Sequence, residues 1–224
     1  MKKIIGVITS AVALTAICLG TTCYATSNDP TSETTTIDNL DAQSIKAYHN
    51  FDIAMRQMWD DYTAYTRDYI KSVLTNLDDQ ETVKKRLIKN QEAIGAAIKP
   101  YYGRTISKKL SALLHDNVLI ITDIINAEKS NSTDATKQAQ QKWQTNADEI
   151  STLLSNVNPN WKKEDLSKMF NAQLEFTTEE VKSMMQKSWD TSIEFYDKAH
   201  MHMMMFADYL TQGIAKQFPE KFKK

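Results

Sequence analysis

The residues best suited to chemistry in this sequence lie in one run, His200 to Met205 (HMHMMM). Thioether and imidazole groups are the ligands that Cu(I) prefers. On a helix, Met201, Met204 and Met205 share a face, and His200 lies beside Met204. With His202, these side chains could form a site for copper or another soft metal. The alternative interpretation is that the methionines fill irregular space in a helical core.

Several polar side chains fall on helical stripes that are otherwise apolar. Buried amides must find hydrogen-bond partners, so these residues either line a small polar cavity or fix the register of neighbouring helices. Gln173 belongs to the same group. The candidate binding residues are Arg56, Arg67, Asn90, Asn117, Asn146, His200 and Asp208.

No catalytic residue is assigned, because the sequence contains no specific catalytic motif. Asp197 and His200 are spaced i, i+3, but a di-iron bundle uses two Glu-x-x-His pairs, and this is one half with Asp in place of Glu. No serine occupies a glycine-elbow turn. An enzyme of unrecognised chemistry remains an alternative. It would bring a carboxylate, an arginine and a histidine together in a cleft.

The N-terminus has the pattern of a secretory signal peptide. Lys2 and Lys3 precede an apolar stretch over residues 4–19, and small residues at Cys23 and Ala25 fit a cleavage site. We expect residues 1–25 to be removed, with an uncleaved anchor as the rival interpretation. Residues 26–39 are small and polar, which predicts a flexible leader. The protein would then be periplasmic or extracellular.

Cleavage would leave an exported chain without cysteine, since Cys18 and Cys23 both lie in the signal. A cysteine-free chain has no disulfides, thiol nucleophiles or thiolate metal sites. The remaining glycines, Gly95, Gly103 and Gly213, are far apart. Phosphate-binding loops need closely spaced glycines, so the sequence contains none of the usual nucleotide-binding loops.

The charge balance bears on the kind of partner. The formal net charge is −1, and loss of Lys2 and Lys3 makes it more negative. Nucleic-acid binding needs a basic surface and is therefore disfavoured. We expect no stable membrane insertion after cleavage. A small molecule or a protein is the expected partner, and non-catalytic binding the expected role. The sequence leaves the oligomeric state open.

Apolar periodicity predicts an all-α protein. Tyr48, Met55, Tyr62 and Tyr69 recur every seven residues on a long first helix, residues 40–77. A second helix with a capping-box-like start at Asp78 and Glu81 is predicted to end at PYYG (100–103), and a third to span 105–128. A polar turn over 129–133 precedes a fourth helix that stops at Asn158, and helices over 163–171 and 177–217 follow. The last is predicted to open on a Thr177/Glu180 capping box. Residues 40–224 are thus expected to form a single antiparallel, up-and-down helical bundle with long first and last helices.

Several stretches between residues 55 and 222 match a known sequence pattern. They are Met55-Arg56 with Trp59, Thr66-Arg67, NQEAIGAAIKPYYG (90–103), Asn146-Ala-Asp148, NPNW (158–161), Tyr196-Asp197, His200, Ala207-Asp208 and QFPEKF (217–222). In these stretches the chain resembles an uncharacterised family of small exported all-helical proteins. Some members are labelled glycosyltransferase or acetylglutamate kinase, activities whose usual glycine loops this chain lacks. Similar members usually carry histidine where this chain has Tyr62, Asn117 and Gln173. The resemblance implies a fold rather than an activity.

Overall fold

The structure, a computed structural model, describes residues 42–223. The expected signal peptide and leader lie outside the described residues. Six α-helices and one 3₁₀ turn follow one another along the chain. They are α1 Ala42–Thr75, α2 Gln80–Ala97, α3 Lys99–Lys129, α4 Thr133–Val157, α5 Lys163–Met185, α6 Trp189–Gln217 and η1 Pro219–Lys221.

Short connections make each helix antiparallel to the next, and α6 returns to pack against α1. The helices therefore form a closed ring. The three parallel helices α1, α3 and α5 also contact one another at its centre. This confirms the predicted all-α bundle. One detail differs: α3, at 31 residues, is as long as the terminal helices.

The seven-residue repeat of α1 is the face that the bundle buries. Met55, Tyr62 and Tyr69 are almost fully enclosed. Tyr48, at the start of the repeat, is half-buried and packs edge-on against Phe222 from the end of the chain. One broad apolar face on a 34-residue helix is enough to hold it to its neighbours on both sides.

The PYYG segment forms the junction between α2 and α3, as predicted. Gly103 has φ of 77°, a left-handed conformation that favours glycine. The first turn of α3, which contains Tyr101, precedes this kink. The ring of Tyr101 packs on Phe218 and Phe222, so the junction also holds the C-terminal tail.

The predicted break before Thr177 is wrong. α5 runs without interruption from Lys163 to Met185, and the chain turns at Lys187, whose φ is 59°. The Thr-x-x-Glu pattern resembled a capping box, but Glu180 is buried and pairs with Arg67 on α1. No glycine or proline lies between residues 172 and 176 to end the helix, so it continues.

Within residues 42–223, α3 alone is long and apolar enough, by length and composition, to cross a membrane. More than half of that stretch is buried inside the bundle. The central helix of a packed core can have the same length and apolar composition, and the position of α3 in the bundle accounts for its apolar residues.

The close approach of Gly213 and Trp161 sets the position of α6 near its C-terminal end. A Cβ atom at Gly213 would lie 1.9 Å from Nε1 of the buried Trp161 indole. That nitrogen donates a hydrogen bond to the carbonyl of Tyr209 at 3.3 Å. The indole thus lies flat against the one turn of α6 that has no side chain in its way.

We expect Gly213→Ala to lower the free energy of unfolding by about 2 kcal/mol, because overpacking outweighs the better helix propensity of alanine. Urea denaturation measures this value. Gln212→Ala, at an exposed neighbour on the same helix, is the control and is expected to be nearly neutral. Equal stability of Gly213→Ala and the wild type would contradict the proposed contact.

Candidate functional site

Charged side chains concentrate along the seam, the line of contact between α1 and α6. On the side of the seam nearer the N-terminus of α1, Arg56 donates two hydrogen bonds to Asp208, from Nε to Oδ1 and from Nη2 to Oδ2, both of 2.6 Å. Asp52 lies 3.9 Å from the same guanidinium. The Arg56 side chain is 45% exposed, so this pair adds little stability. It does orient two of the candidate binding residues.

A second group of ionisable side chains, which we call the seam cluster, lies further along the same line. It consists of Asp60, Arg67, Glu180, Tyr196 and His200. Arg67 forms an ion pair with Glu180, and its Nη1 donates to the carbonyl of Ser192 at 3.3 Å. The guanidinium carbon also lies 4.9 Å from the centre of the Tyr196 ring. α1, α5 and α6 therefore all hold Arg67.

The histidine end of the seam cluster is open to water. The ring of His200 stacks on Tyr196 with centres 6.2 Å apart. Its Nε2 lies 2.8 Å from Oδ1 of Asp60, and both side chains are about 40% exposed. The spacings explain the grouping, since Asp60 and Arg67 are seven residues apart on α1 and Tyr196 and His200 four apart on α6.

Glu180 is the most perturbed carboxyl group of the cluster. Burial raises its pKa to about 7, against the lowering effect of Arg67. Burial also raises the pKa of Tyr196, and the nearby carboxylates of Asp60 and Glu180 raise it further. A group that titrates near neutrality beside a specific charge partner is characteristic of functional sites.

The central polar cluster, Tyr62, Thr66, Asn117, Asn146 and Gln173, lies where α1, α3 and α5 meet. The Tyr62 hydroxyl donates to Oδ1 of Asn117, and Nδ2 of Asn117 donates to Oδ1 of Asn146, both at 3.3 Å. Burial raises the pKa of Tyr62, and neighbouring Thr66 and Gln173 partly offset that rise. Asn117 and Gln173 are therefore gathered around the Tyr62 hydroxyl.

Two further oxygens of the central polar cluster, Oγ1 of Thr66 and Oε1 of Gln173, are buried near the Tyr62 hydroxyl. Asn146, at the other end, reaches an open groove of about 480 Å³ between α3 and α4. The cluster thus joins the helices at the core and extends to one surface of the bundle.

The remaining candidate, Asn90, lies elsewhere. Its Nδ2 donates to the carbonyl of Met58 at 2.9 Å, and its Oδ1 accepts from Gln91. These bonds link α2 to α1, and the binding role of Asn90 stays a prediction. The structure therefore sorts the predicted residues into three places: the seam, the central polar cluster and the α1/α2 contact.

The two histidines of the HMHMMM run face different helices. His200 contacts Asp60 on α1, whereas Nε2 of His202 lies 2.8 Å from the carbonyl of Met169 on α5. The His202 ring also packs edge-on against Phe176. In residues 42–223 no group of three or more His, Cys, Asp or Glu could hold a metal ion.

The methionines of the run also diverge. Met204 packs against the core, while Met201 and Met205 are exposed. The core-filling interpretation fits Met204 and the buried Met203. It does not explain Met201 or Met205. Copper binding stays a prediction, and a copper site would require the histidine and methionine side chains of the run to reorient.

Sequence reasoning missed Asp60, Glu180 and Tyr196. Glu180 stands between Thr177 and Val181 on the apolar stripe of α5, and that placement was the available signal. The Asp197–His200 spacing, by contrast, is not used for a mutual contact, because Asp197 is exposed and His200 contacts Asp60 instead.

No family model, curated protein or solved structure matches this chain. The function is therefore argued from the geometry of the seam cluster and the central polar cluster.

We expect Tyr62→Phe to reduce the free energy of unfolding by about 1–2 kcal/mol, because it leaves the buried Asn117 oxygen without its donor. Urea titration with fluorescence detection measures the change. Tyr65→Phe, at a half-buried position on the same helix, should change stability by less than about 0.5 kcal/mol. Equal losses in both variants would argue against a specific bond at Tyr62.

Glu180→Gln tests the electrostatics of the seam cluster. The folded-state pKa is raised, so the folded protein binds more protons than the unfolded chain between about pH 4.5 and pH 7. Stability from this group is present at low pH and is lost as the pH rises through that window. Between about pH 5 and 7.5 we expect wild type to lose about 2 kcal/mol more than Glu180→Gln.

The control for this pH series is Glu179→Gln, which changes the neighbouring carboxylate that pairs with Lys182 on the surface. Its pH dependence should follow the wild type. Parallel pH curves for wild type and Glu180→Gln would show that Glu180 ionises equally in the folded and unfolded states.

Proposed function

We propose that this protein binds a small, positively charged molecule at the seam cluster. The observation that carries the proposal is the Arg67–Glu180 pair, largely buried beside the partly exposed Tyr196, His200 and Asp60. A buried ion pair adds no more stability than well-packed apolar side chains of the same volume. Its presence next to an accessible aromatic ring is better explained by a ligand than by folding.

The sign of the ligand charge follows from the groups that remain uncompensated. Glu180 neutralises Arg67, which leaves the carboxylates of Asp60 and Asp197 near the Tyr196 ring when His200 is neutral. An ammonium or guanidinium group is attracted by these carboxylates, whereas the Tyr196 ring is already in contact with Arg67 and His200. An anionic ligand would meet two negative charges there.

We also propose that the protein acts outside the cytoplasm, on the basis of the signal pattern in residues 1–25. Non-catalytic binding is the primary proposal. Acid–base catalysis is a second candidate, favoured by the combination of Glu180, whose pKa is about 7, with His200. If the protein is an enzyme, native mass spectrometry should detect two related bound molecules, substrate and product, that interconvert on the wild type and do not interconvert on Glu180→Gln.

Native mass spectrometry of the protein purified from the exported fraction of its own cells tests the binding proposal. We expect a chain that begins at Thr26 and retains one organic cation. Asp60→Asn should reduce the occupied fraction at least about tenfold, because it removes the charge that faces the ligand. Asp61→Asn, next to it but paired with Arg86, should retain the ligand.

Three results would count against this proposal. A ligand-free mass in every preparation would exclude tight binding, and an anionic ligand would contradict the charge argument. Stoichiometric copper in an elemental analysis, lost in His200→Ala, would favour the alternative soft-metal site instead.

A further inference from the structure

The outer face of α6 carries an exposed apolar ridge that neither the core nor the seam cluster uses. Trp189, Ile193, Asp197, Met201 and Met205 follow one another at intervals of four residues, so each side chain lies beside the next. We call these five residues the α6 ridge. The apolar members are exposed by 59% for Trp189, 46% for Ile193, 61% for Met201 and 54% for Met205.

This exposure is unusual for a surface helix. The outward face of an amphipathic helix is ordinarily polar, and contiguous apolar patches on soluble proteins commonly mark interaction sites. Methionine is frequent on surfaces that accept partner helices, because its flexible thioether adapts to different side chains. The ridge extends from Trp189 to Met205, 17 residues, which corresponds to about 24 Å along the helix axis.

The charges beside the ridge define the chemistry of its partner. Asp190 and Glu194 are exposed on the adjacent row, and Asp197 interrupts the ridge itself. The only lysine or arginine in that stretch, Lys198, places its ammonium group 4.7 Å from the centre of the Phe195 ring. Three carboxylates and one lysine give this face a net negative charge.

We propose that the α6 ridge docks an amphipathic helix of a protein partner whose apolar stripe is flanked by lysine or arginine. Rows of side chains four residues apart form the ridges that fit the grooves of a second helix. A partner of about four to five turns covers the ridge from Trp189 to Met205. Its basic residues would meet Asp190, Glu194 and Asp197.

The same charges disfavour the other occupants of such a surface. In a symmetric dimer the carboxylates would face their own copies, and an anionic membrane would be repelled. Asp197 is the one residue that this proposal shares with the proposed seam ligand, since Tyr196 and His200 contact Arg67 and Asp60 on α1. The variants used to test the ridge leave Asp197 in place.

A phage-displayed library of 16-residue helical peptides with randomised charge tests this proposal against the purified protein. We expect the enriched peptides to be amphipathic and basic. Trp189 is the one exposed tryptophan in residues 42–223, so binding should shift the fluorescence emission to shorter wavelength. Met201→Ser/Met205→Ser should weaken binding by at least about tenfold, and Asp190→Asn/Glu194→Gln should reduce its salt dependence.

Leu119→Ser is the matched control, because Leu119 is an exposed apolar residue on α3, and it should leave affinity unchanged. Circular dichroism confirms that each variant folds. Enrichment of neutral or acidic peptides, or equal affinity of the methionine variant, would overturn the proposal. So would a wild-type dimer in sedimentation that dissociates in the methionine variant, or stronger binding of the wild type to anionic vesicles than to the selected peptides.

Discussion

The ion pair between Arg67 and Glu180 lies where three helices meet, and the arrangement of the seam follows from it. Arg67 comes from α1, Glu180 from α5, and the carbonyl of Ser192 from the first turn of α6. A charge taken out of water must be compensated on several sides. Because the three partners lie on three helices, α5 and α6 have little freedom to slide along α1. Tyr196 is held over the guanidinium by the same constraint.

The central polar cluster imposes a second constraint at the core. An apolar contact between parallel helices tolerates a shift along the axis, but an amide that must meet one particular hydroxyl does not. Tyr62, Asn117 and Asn146 are linked by bonds of 3.3 Å from α1 to α3 to α4. They therefore fix the register of three helices.

The sequence was informative about which face of each helix is buried and less so about what that face meets. The spacing of Met55, Tyr62 and Tyr69 predicts a buried stripe because one helix alone determines it. The buried position of Asn117 can be predicted in the same way, but its partners Tyr62 and Asn146 lie 55 residues earlier and 29 residues later in the chain. Glu180 was misread because its partner, Arg67, is 113 residues away. A local capping pattern and a tertiary ion pair use the same residue type, and only the packing decides between them.

α6 has three distinct faces, and one rotation of the helix sets them all. Met203, Phe206 and Leu210 face the core, Tyr196, His200 and Asp208 face α1, and the α6 ridge faces outward. A shift of one residue turns a helix by about 100°, which would bury the ridge and expose the core. Gly213 allows the Trp161 indole to lie against this helix, since a side chain there would collide with it. This contact is one of those that fix the rotation of α6, together with the Arg56–Asp208 pair and the core residues.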